Sequence, residues 1–368
     1  MSVSNAGSLG QLLIIELHDH RWSSRLERTL RTVQPSGVLL HPGALRSPGQ
    51  TAELLQQVAK AVSTPPFLAV AEEGGAVNPL KAFLPPLPAP RAVARTGPTA
   101  VQRLGELIGT ALQLLGFNLN FAPRLDVANP NVRPALDAQT FGADPKEVAR
   151  CGIAFIEGLR EHKILACGKH FPGRGTPEYD ENGLPMVGKT MGELWRVDLW
   201  PFRKLLPHLP FIKVSNVSYK AYDFDAPRPA AMSQKVVNDL LRVKLRYAGV
   251  AVAHLLGLIE EATHHMTPEG QLFMSYETFA DSARAGCDLQ VVKFRAKRID
   301  TVLVEIRKGL AVGSLSHKRL EEALSRIQTA RKGLKRPSGK LSVRCFDRLA
   351  REFEEFNRLV RAGGEFEA

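Results

Sequence analysis

The sequence predicts an α/β fold, a (β/α)8 barrel followed by a C-terminal helical extension. Eight short, almost continuously apolar runs, each bounded by turn residues, recur between residues 12 and 292. Segments with helical periodicity lie between these runs, and this alternation is typical of parallel strands joined by helices. The alternative, a doubly wound open sheet, has no phosphate-binding glycine fingerprint to support it.

The apolar runs predict the eight barrel strands. They span 12–17, 37–41, 67–71, 117–121, 164–168, 210–215, 249–254 and 287–292. Each run is short and carries few polar residues, as expected of strands that are buried on both faces. Eight such strands predict a TIM-type barrel, whose functional residues collect at the carboxyl ends of the strands.

Three segments between the runs have clear helical patterns. Residues 50–62, 99–115 and 144–162 each place apolar side chains on one face. The third begins with Asp144, Pro145 and, three positions after the aspartate, Glu147. These residues predict a helix start with an aspartate cap and proline in the first turn.

The C-terminal region predicts a separate helical extension. We assign residues 1–335 to the barrel and residues 336–368 to a basic linker and an amphipathic helix. One face of this helix carries the apolar residues Phe346, Leu349, Phe353, Phe356 and Leu359. The face is expected to pack on the barrel or on a partner subunit, and the sequence alone leaves the oligomeric state open.

The composition is that of a globular protein with a basic surface. The hydrophobic fraction of 44% is enough for one large core, and the net charge of +12 favours anionic partners without naming one. The four cysteines form no CxxC pair and are expected to be reduced thiols. Because the N-terminus lacks a basic start and no run approaches ~20 apolar residues, we expect a cytoplasmic protein without membrane contact. Neither a cofactor nor nucleic-acid binding is expected.

The strongest functional signal follows the fifth apolar run. The stretch "GKHFPGRGTPEYDENGLP" places Lys169 and His170 before a glycine-proline turn and a loop rich in carboxylates. Four other strand ends are also notable and carry "AEEGG", "NFAPRLDV", "SNVSY" and "VAHLLGL". Since the carboxyl ends of barrel strands face one mouth, these segments are predicted to form one site.

These segments resemble glycoside hydrolase family 3, in its β-N-acetylhexosaminidase branch. The resemblance rests on "KHFPGRG", "AEEGG", "GFNLNFAPRLDV", "FGADP" and "AGVAVAHLLGL", and it covers residues from about 10 to about 333 in the family's order. It implies a retaining enzyme that cleaves terminal β-linked N-acetylglucosamine. Such an enzyme uses an aspartate nucleophile after strand seven and a histidine acid/base, oriented by an aspartate, in the loop after strand five.

The catalytic positions of this chain depart from the family pattern. The resemblance places His254 at the nucleophile position and Asn182 at the acid/base position, while the orienting aspartate remains as Asp180. An imidazole cannot neutralise the oxocarbenium-like centre of the transition state as a carboxylate does. Asn182 has no titratable proton to give to a leaving group.

Several sugar-binding positions are also substituted. By the resemblance, an aspartate is replaced at Ala71, arginines are replaced at Ala76 and Gln139, and a histidine is replaced at Asn216. The retained pair, Lys169 and His170, is expected to contact a sugar hydroxyl. Losing polar partners weakens a site that is built for a polar ligand.

These departures predict a catalytically impaired pseudoenzyme that binds a carbohydrate or a protein partner. The first alternative is an active glycosidase that hydrolyses terminal β-N-acetylhexosaminides, such as peptidoglycan-derived sugars, by a rearranged mechanism. In that case Glu178, Asp180 or Glu181 would supply the acid/base chemistry. The second alternative is a binder of anionic polymers that uses the basic C-terminal region.

Other polar residues at the strand ends have more ordinary interpretations. Glu72, Glu73 and Asp126 are expected to be structural carboxylates that bind loop amides. A metal site of His254 with His18, His20 or His170 is an alternative interpretation, but no carboxylate cluster completes a set at a known spacing. No metal ion is therefore predicted.

Overall fold

The barrel is closed, as predicted. A computed structural model of the chain describes residues 6–129, 137–175, 177–179, 184–254, 277–337 and 341–363. The barrel strands are β1 (Leu13–Leu17), β2 (Gly37–Leu40), β3 (Phe67–Val70), β4 (Leu119–Asn120), β5 (Leu165–Phe171), β6 (Phe211–Val214), β7 (Val250–Ala253) and β8 (Leu289–Lys293). All eight pair in parallel in the order β1-β8-β7-β6-β5-β4-β3-β2, and β1 also pairs with β2. An open, doubly wound sheet is therefore wrong.

Two strands differ in length from the apolar runs. β4 has two residues rather than five. The side chain of Asn118, directly before it, adds bonds to the β3 region: it accepts from Leu68 N at 2.8 Å and donates to Pro66 O at 2.9 Å. β5 continues to Phe171, so Lys169 and His170 lie within the strand and not in the loop after it. Both side chains are consequently held by the barrel.

Helices surround the barrel. They are α1 (Ala6–Gly10), α2 (Ser24–Val33), α3 (Pro48–Ala61), α4 (Pro90–Arg95), α5 (Pro98–Leu115), α6 (Pro145–Glu161), α7 (Met191–Arg196), α8 (Leu199–Leu205), α9 (Glu277–Ala285), α10 (Ala296–Ala311), α11 (His317–Arg331) and α12 (Val343–Ala362). A π-helix spans Lys235–Lys244, and short 3-10 helices span Pro42–Ala44, Pro79–Ala82, Leu206–His208 and Ala230–Met232. A small sheet of three short strands, Glu178–Tyr179, Pro185–Val187 and Ser218–Tyr219, lies beside the barrel.

The start of α6 confirms most of the predicted capping pattern. Asp144 is the N-cap, its side chain accepts from Lys146 N at 2.9 Å, and Pro145 occupies the first turn. Glu147 does not return a hydrogen bond to the cap; its carboxylate pairs with Arg150 at 2.6 Å. An exposed arginine one turn along the helix is the stronger partner for this side chain.

The C-terminal helix α12 packs on the barrel of its own chain. It lies against α5, where Arg103 and Glu352 form an ion pair at 3.0 Å, and the ring of Phe346 lies 5.8 Å from that of Phe83. Leu359 was wrongly placed on the buried face, since it is 38% exposed while Val360 is 8% exposed. Val360 follows Phe356 by four residues and so continues the buried stripe. The division into regions 1–335 and 336–368 remains a prediction.

The cysteines are unpaired, as expected. Cys151, Cys167 and Cys287 are buried free thiols, and Cys345 is partly exposed. Burial raises the pKa of Cys167 to about 12, which keeps this thiol protonated and unreactive. In the described part of the chain, no helix has the length and apolar character to cross a membrane.

Candidate functional site

Lys169 forms the centre of a buried ion pair at the barrel mouth. Its ammonium pairs with the carboxylate of Glu73, which follows β3, and the two residues are 5% and 3% exposed. Burial acts to raise the pKa of Glu73, but the charges of Lys169 and Arg124 outweigh burial and lower that pKa. Lys169 therefore has a partner within the protein, and Glu73 is an ion-pair partner rather than the expected acceptor of loop amides.

His170 is oriented by Asp126. Its Nδ1 lies 2.8 Å from Asp126 Oδ2, and since a carboxylate only accepts, Nδ1 carries the proton and Nε2 is left as the acceptor. Burial lowers the pKa of His170 despite the opposing effect of Asp126, so the imidazole is neutral near pH 7. Asp126 also accepts from the backbone N of His170 at 3.3 Å and of Arg174 at 2.8 Å. The predicted structural role of Asp126 is confirmed.

Arg124 connects these two pairs. Its Nε lies 3.7 Å from Glu73 Oε2 and 3.9 Å from Asp126 Oδ2. Sequence reasoning did not single out Arg124, although it stands beside Asp126 in "PRLDV" after a predicted strand. The ends of β3, β4 and β5 are thereby joined by one network of charges.

Glu72 and Gln139 hold the turn that contains the double glycine. Glu72 accepts from Gly74 N at 2.8 Å and from Leu80 N at 3.0 Å, which confirms its expected structural role. Gln139 accepts from Ala76 N at 2.9 Å and donates to Gly74 O at 3.2 Å. At Gly75, φ is 58° and a Cβ would lie 2.3 Å from Gln139 Oε1, so only glycine fits. The amide of Gln139 is therefore bound to the scaffold.

A second polar cluster lies at the ends of β1, β6 and β7. His254 follows β7 directly, and its Nε2 lies 3.6 Å from Oε2 of Glu16, a residue of β1. His18 Nε2 lies 3.1 Å from the same oxygen. Asn216 donates from Nδ2 to the backbone O of His254 at 2.7 Å. The structure thus brings together two predicted site residues, His254 and Asn216, and places beside His254 a residue that was not predicted, Glu16.

Glu16 is the functional candidate that sequence reasoning missed. Burial acts to raise the pKa of Glu16, but the neighbouring His254 and His18 lower it from 4.5 to about 2. The carboxylate is therefore ionised at neutral pH. A single acidic residue inside the apolar run "LLIIEL" was the available signal, because an ionised carboxylate is rarely buried without partners.

Two predicted catalytic residues, Asp180 and Asn182, lie outside the described residues, as does Glu181. Ala71 lies directly after β3 and is partly buried. Glu178, the remaining carboxylate proposed for a rearranged mechanism, is exposed in the short strand Glu178–Tyr179. The roles assigned to these positions remain predictions.

The histidines of the mouth are distributed between the clusters. His18 stacks on His41, with ring centroids 4.0 Å apart, and contacts Glu16, whereas His170 contacts Asp126. His20 lies 3.3 Å from the carboxylate of Asp19. Within the described residues, no group of three or more histidine, cysteine or acidic side chains has a geometry that could hold a metal ion.

The closed parallel barrel makes this chain a TIM-barrel protein. Its polar clusters lie at the carboxyl ends of the strands, the face where proteins of this class carry their functional sites. Within this class the chain belongs to glycosyl hydrolase family 3, because the model of that family's N terminal domain matches residues 7–330. The family predicted from the loop motifs is therefore confirmed.

Curated relatives and solved structures agree with this assignment. The chain is 31% identical over 267 residues to a β-hexosaminidase of Pseudomonas aeruginosa, covering 72% of this chain and 76% of the relative. It is 30% identical over 294 residues to a β-hexosaminidase of Neisseria meningitidis, covering 76% and 78%. The fold matches a family-3 β-N-acetylglucosaminidase from Paenibacillus sp. with a TM-score of 0.82 and 24% identity, covering 97% of this chain and 69% of that one.

Proposed function

We propose that this family-3 barrel binds an N-acetylated sugar and has lost most of the family's hydrolytic activity. One observation carries the proposal: the side chain at the end of β7 is the imidazole of His254, which lies 3.6 Å from the Glu16 carboxylate. The relatives named β-hexosaminidase support an N-acetylated sugar as the ligand. If no sugar binds, the binding function that remains is recognition of a protein partner at the same mouth.

The chemistry of retaining hydrolysis argues for impaired activity. The nucleophile must neutralise a positive anomeric carbon and form a covalent intermediate. Attack by His254 would leave a cationic glycosyl-imidazolium beside that centre. Asn182 cannot deliver the proton that the leaving group needs. Because catalytic groups of this kind act as a unit, loss of two of them leaves only residual effects.

The sugar-binding positions support the same conclusion. Gln139 is bound to the glycine turn and Asn216 to the backbone of His254, so neither amide group is fully available to a ligand. Ala71 offers no polar group. We therefore infer weaker sugar binding than in a complete site, with His170 as the main polar contact, because Nε2 is left as an acceptor by the bond from Nδ1 to Asp126.

A chromogenic aryl β-N-acetylglucosaminide tests this proposal. The protein should release chromophore far more slowly than the rate of about 1 s⁻¹ at the low end of normal enzyme turnover, while N-acetylglucosamine should raise its melting temperature. The double variant His254→Asp with Asn182→His should restore little activity, because Ala71, Ala76 and Gln139 remain. Turnover at rates normal for enzymes, about 1–10³ s⁻¹, would contradict the proposal.

Residual glycosidase activity is a second candidate function, favoured by the position of Glu16. Its ionised carboxylate lies within 3.6 Å of the predicted nucleophile position and reaches it from β1 instead of β7. In this case Glu16→Gln would abolish any turnover that the wild-type protein shows, whereas Glu178→Gln would leave it unchanged. Turnover that survives Glu16→Gln would dismiss this second candidate.

A cytoplasmic location is also proposed. The buried free thiols of Cys151, Cys167 and Cys287 support it, since such thiols are common in a reducing compartment. Fractionation of cells that express the protein tests the location directly.

A further inference from the structure

Lys213 is a lysine inside the barrel. The ring of Phe211 contacts that of Phe67 at a centroid distance of 5.0 Å, although β6 and β3 are not neighbouring strands. This contact crosses the interior, so Phe211 points inward. Side chains alternate along a strand, and Lys213 therefore also points inward, one layer closer to the mouth.

Among the described residues, no carboxylate compensates the charge of Lys213. Its cross-strand neighbour is another cation, Lys169, whose ammonium pairs with Glu73. In the described part of the chain, no carboxylate forms an ion pair with Lys213. Burial and the Lys169 charge lower the pKa of Lys213 to about 8, so the side chain is still mainly protonated near pH 7. An uncompensated buried ammonium destabilises the protein unless an anion reaches it.

The mouth is open to such an anion. Lys213 is partly exposed although it points into the barrel, so solvent reaches it through the mouth. At this mouth the positions that the family resemblance assigns to aspartates carry Ala71 and His254, which add no negative charge, while the ionised carboxylate of Glu16 lies beside His254 and His18. The nearest carboxylate after β3, Glu73, is neutralised by Lys169.

We propose that the mouth binds a sugar that carries an anionic substituent, a phosphate or a carboxylate, and that the Lys213 ammonium binds this substituent. The inference rests on the proposed sugar-binding function and specifies its ligand class. A charge-assisted hydrogen bond in a partly buried site is stronger than one between neutral groups. The anionic group would provide Lys213 with an ion-pair partner, which no carboxylate of the described residues supplies.

Calorimetric titration with matched pairs of sugars tests the inference. N-acetylglucosamine 6-phosphate is compared with N-acetylglucosamine, and glucuronic acid with glucose. At least one anionic sugar should bind about tenfold or more tightly than its neutral parent. The pair that shows the gain identifies phosphate or carboxylate as the preferred group.

Two variants connect the gain to Lys213. Lys213→Met should remove the preference, so that it binds the anionic sugar no more tightly than its neutral parent. It should also melt at or above the wild-type temperature, since it removes an uncompensated charge. Lys235→Met makes the same change at an exposed position and should retain the preference. Lys213→Gln serves the same purpose if the methionine variant fails to fold.

The pH dependence provides an independent readout. Lys213 is faced by Lys169, Arg174, Cys167 and Glu73, and of these groups the two cations lower its pKa while the thiol and the carboxylate raise it. As the pH rises through about 8, the amine loses its proton and the anionic preference should shrink. The preference of Lys235→Met should shrink in the same way.

The outcomes separate this inference from the proposed function. Equal binding of neutral and anionic sugars, or a preference that persists in both Lys213→Met and Lys213→Gln, overturns the inference alone. Rapid turnover of the chromogenic glycoside overturns the pseudoenzyme proposal but leaves the anionic preference measurable. If none of the four sugars binds, both proposals fail.

Discussion

At the scale of single residues, two amide side chains at the barrel mouth are part of the scaffold. Gln139 holds the glycine turn through two hydrogen bonds, and Asn216 holds the backbone of His254. These amides connect loops that would otherwise end in unpaired backbone groups. The same side chains are thus expected to contribute more to stability than to ligand binding.

Gln139→Ala tests this role. The variant removes the acceptor of Ala76 N–H and one of the two donors to Gly74 C=O, which keeps its bond from Val77 N, and it should lower the free energy of unfolding by about 0.5–1.5 kcal/mol. Urea denaturation followed by circular dichroism measures the change. Gln328→Ala, at an exposed position of α11, is the control and should change stability by less than about 0.5 kcal/mol. A Gln139→Ala protein as stable as this control would show that the amide does not brace the turn.

At the scale of elements, α12 is an integral layer of the fold. Its buried stripe includes Leu349 and Phe353, which are 1% and 0% exposed, and its polar face pairs with α5 through Glu352. Burial of large apolar side chains is the main stabilising term for such a helix. Docking on a partner subunit is not needed to cover this face.

Phe353→Ala should therefore destabilise the isolated chain. A large-to-small change at a fully buried phenylalanine costs about 3–5 kcal/mol of unfolding free energy. Leu359→Ala removes an apolar side chain from the same helix at a position that is 38% exposed, and it should cost far less. Chemical denaturation at several protein concentrations measures both effects. Equal effects of the two variants, or a dependence on concentration, would contradict packing within one chain.

At the scale of the whole molecule, Asp288 joins the last strands and helices of the barrel. It precedes β8 and is 1% exposed, and its carboxylate pairs with Arg242, with Arg319 at 2.7 Å and with Arg326 at 3.1 Å. It also accepts from Ala251 N in β7 at 2.9 Å. One buried carboxylate thus connects β7, the π-helix and α11 at the amino end of the barrel.

Removing this charge should weaken closure of the barrel. Asp288→Asn leaves three guanidinium groups without their counter-charge, and breaking a buried ion pair in this way costs about 3–5 kcal/mol. The melting temperature and the denaturation midpoint should both fall. Asp281→Asn breaks an exposed pair with Arg284 and should cost no more than about 1 kcal/mol. If the two variants were equally stable, Asp288 would have no part in closure.

Much of the architecture was predictable because buried parallel strands and amphipathic helices have local patterns. All eight strands and the helices α3, α5, α6 and α12 occur where apolar runs and periodicity predict them. The strand ends were predicted less well. β4 is shorter than its apolar run, and β5 continues through the polar residues Lys169 and His170, with a shift of register between Lys169 and Phe171.

The sequence by itself determined the barrel, its family and the identity of the residues at each strand end, because those features depend on local pattern and on motif order. Only the tertiary structure decided which side chains meet. Glu16 reaches His254 from another strand, Glu73 neutralises Lys169, and Lys213 lies opposite Lys169 with no carboxylate paired to it among the described residues. Such contacts join residues far apart in the chain, and closure of the barrel alone brings them within the range where charges act on one another.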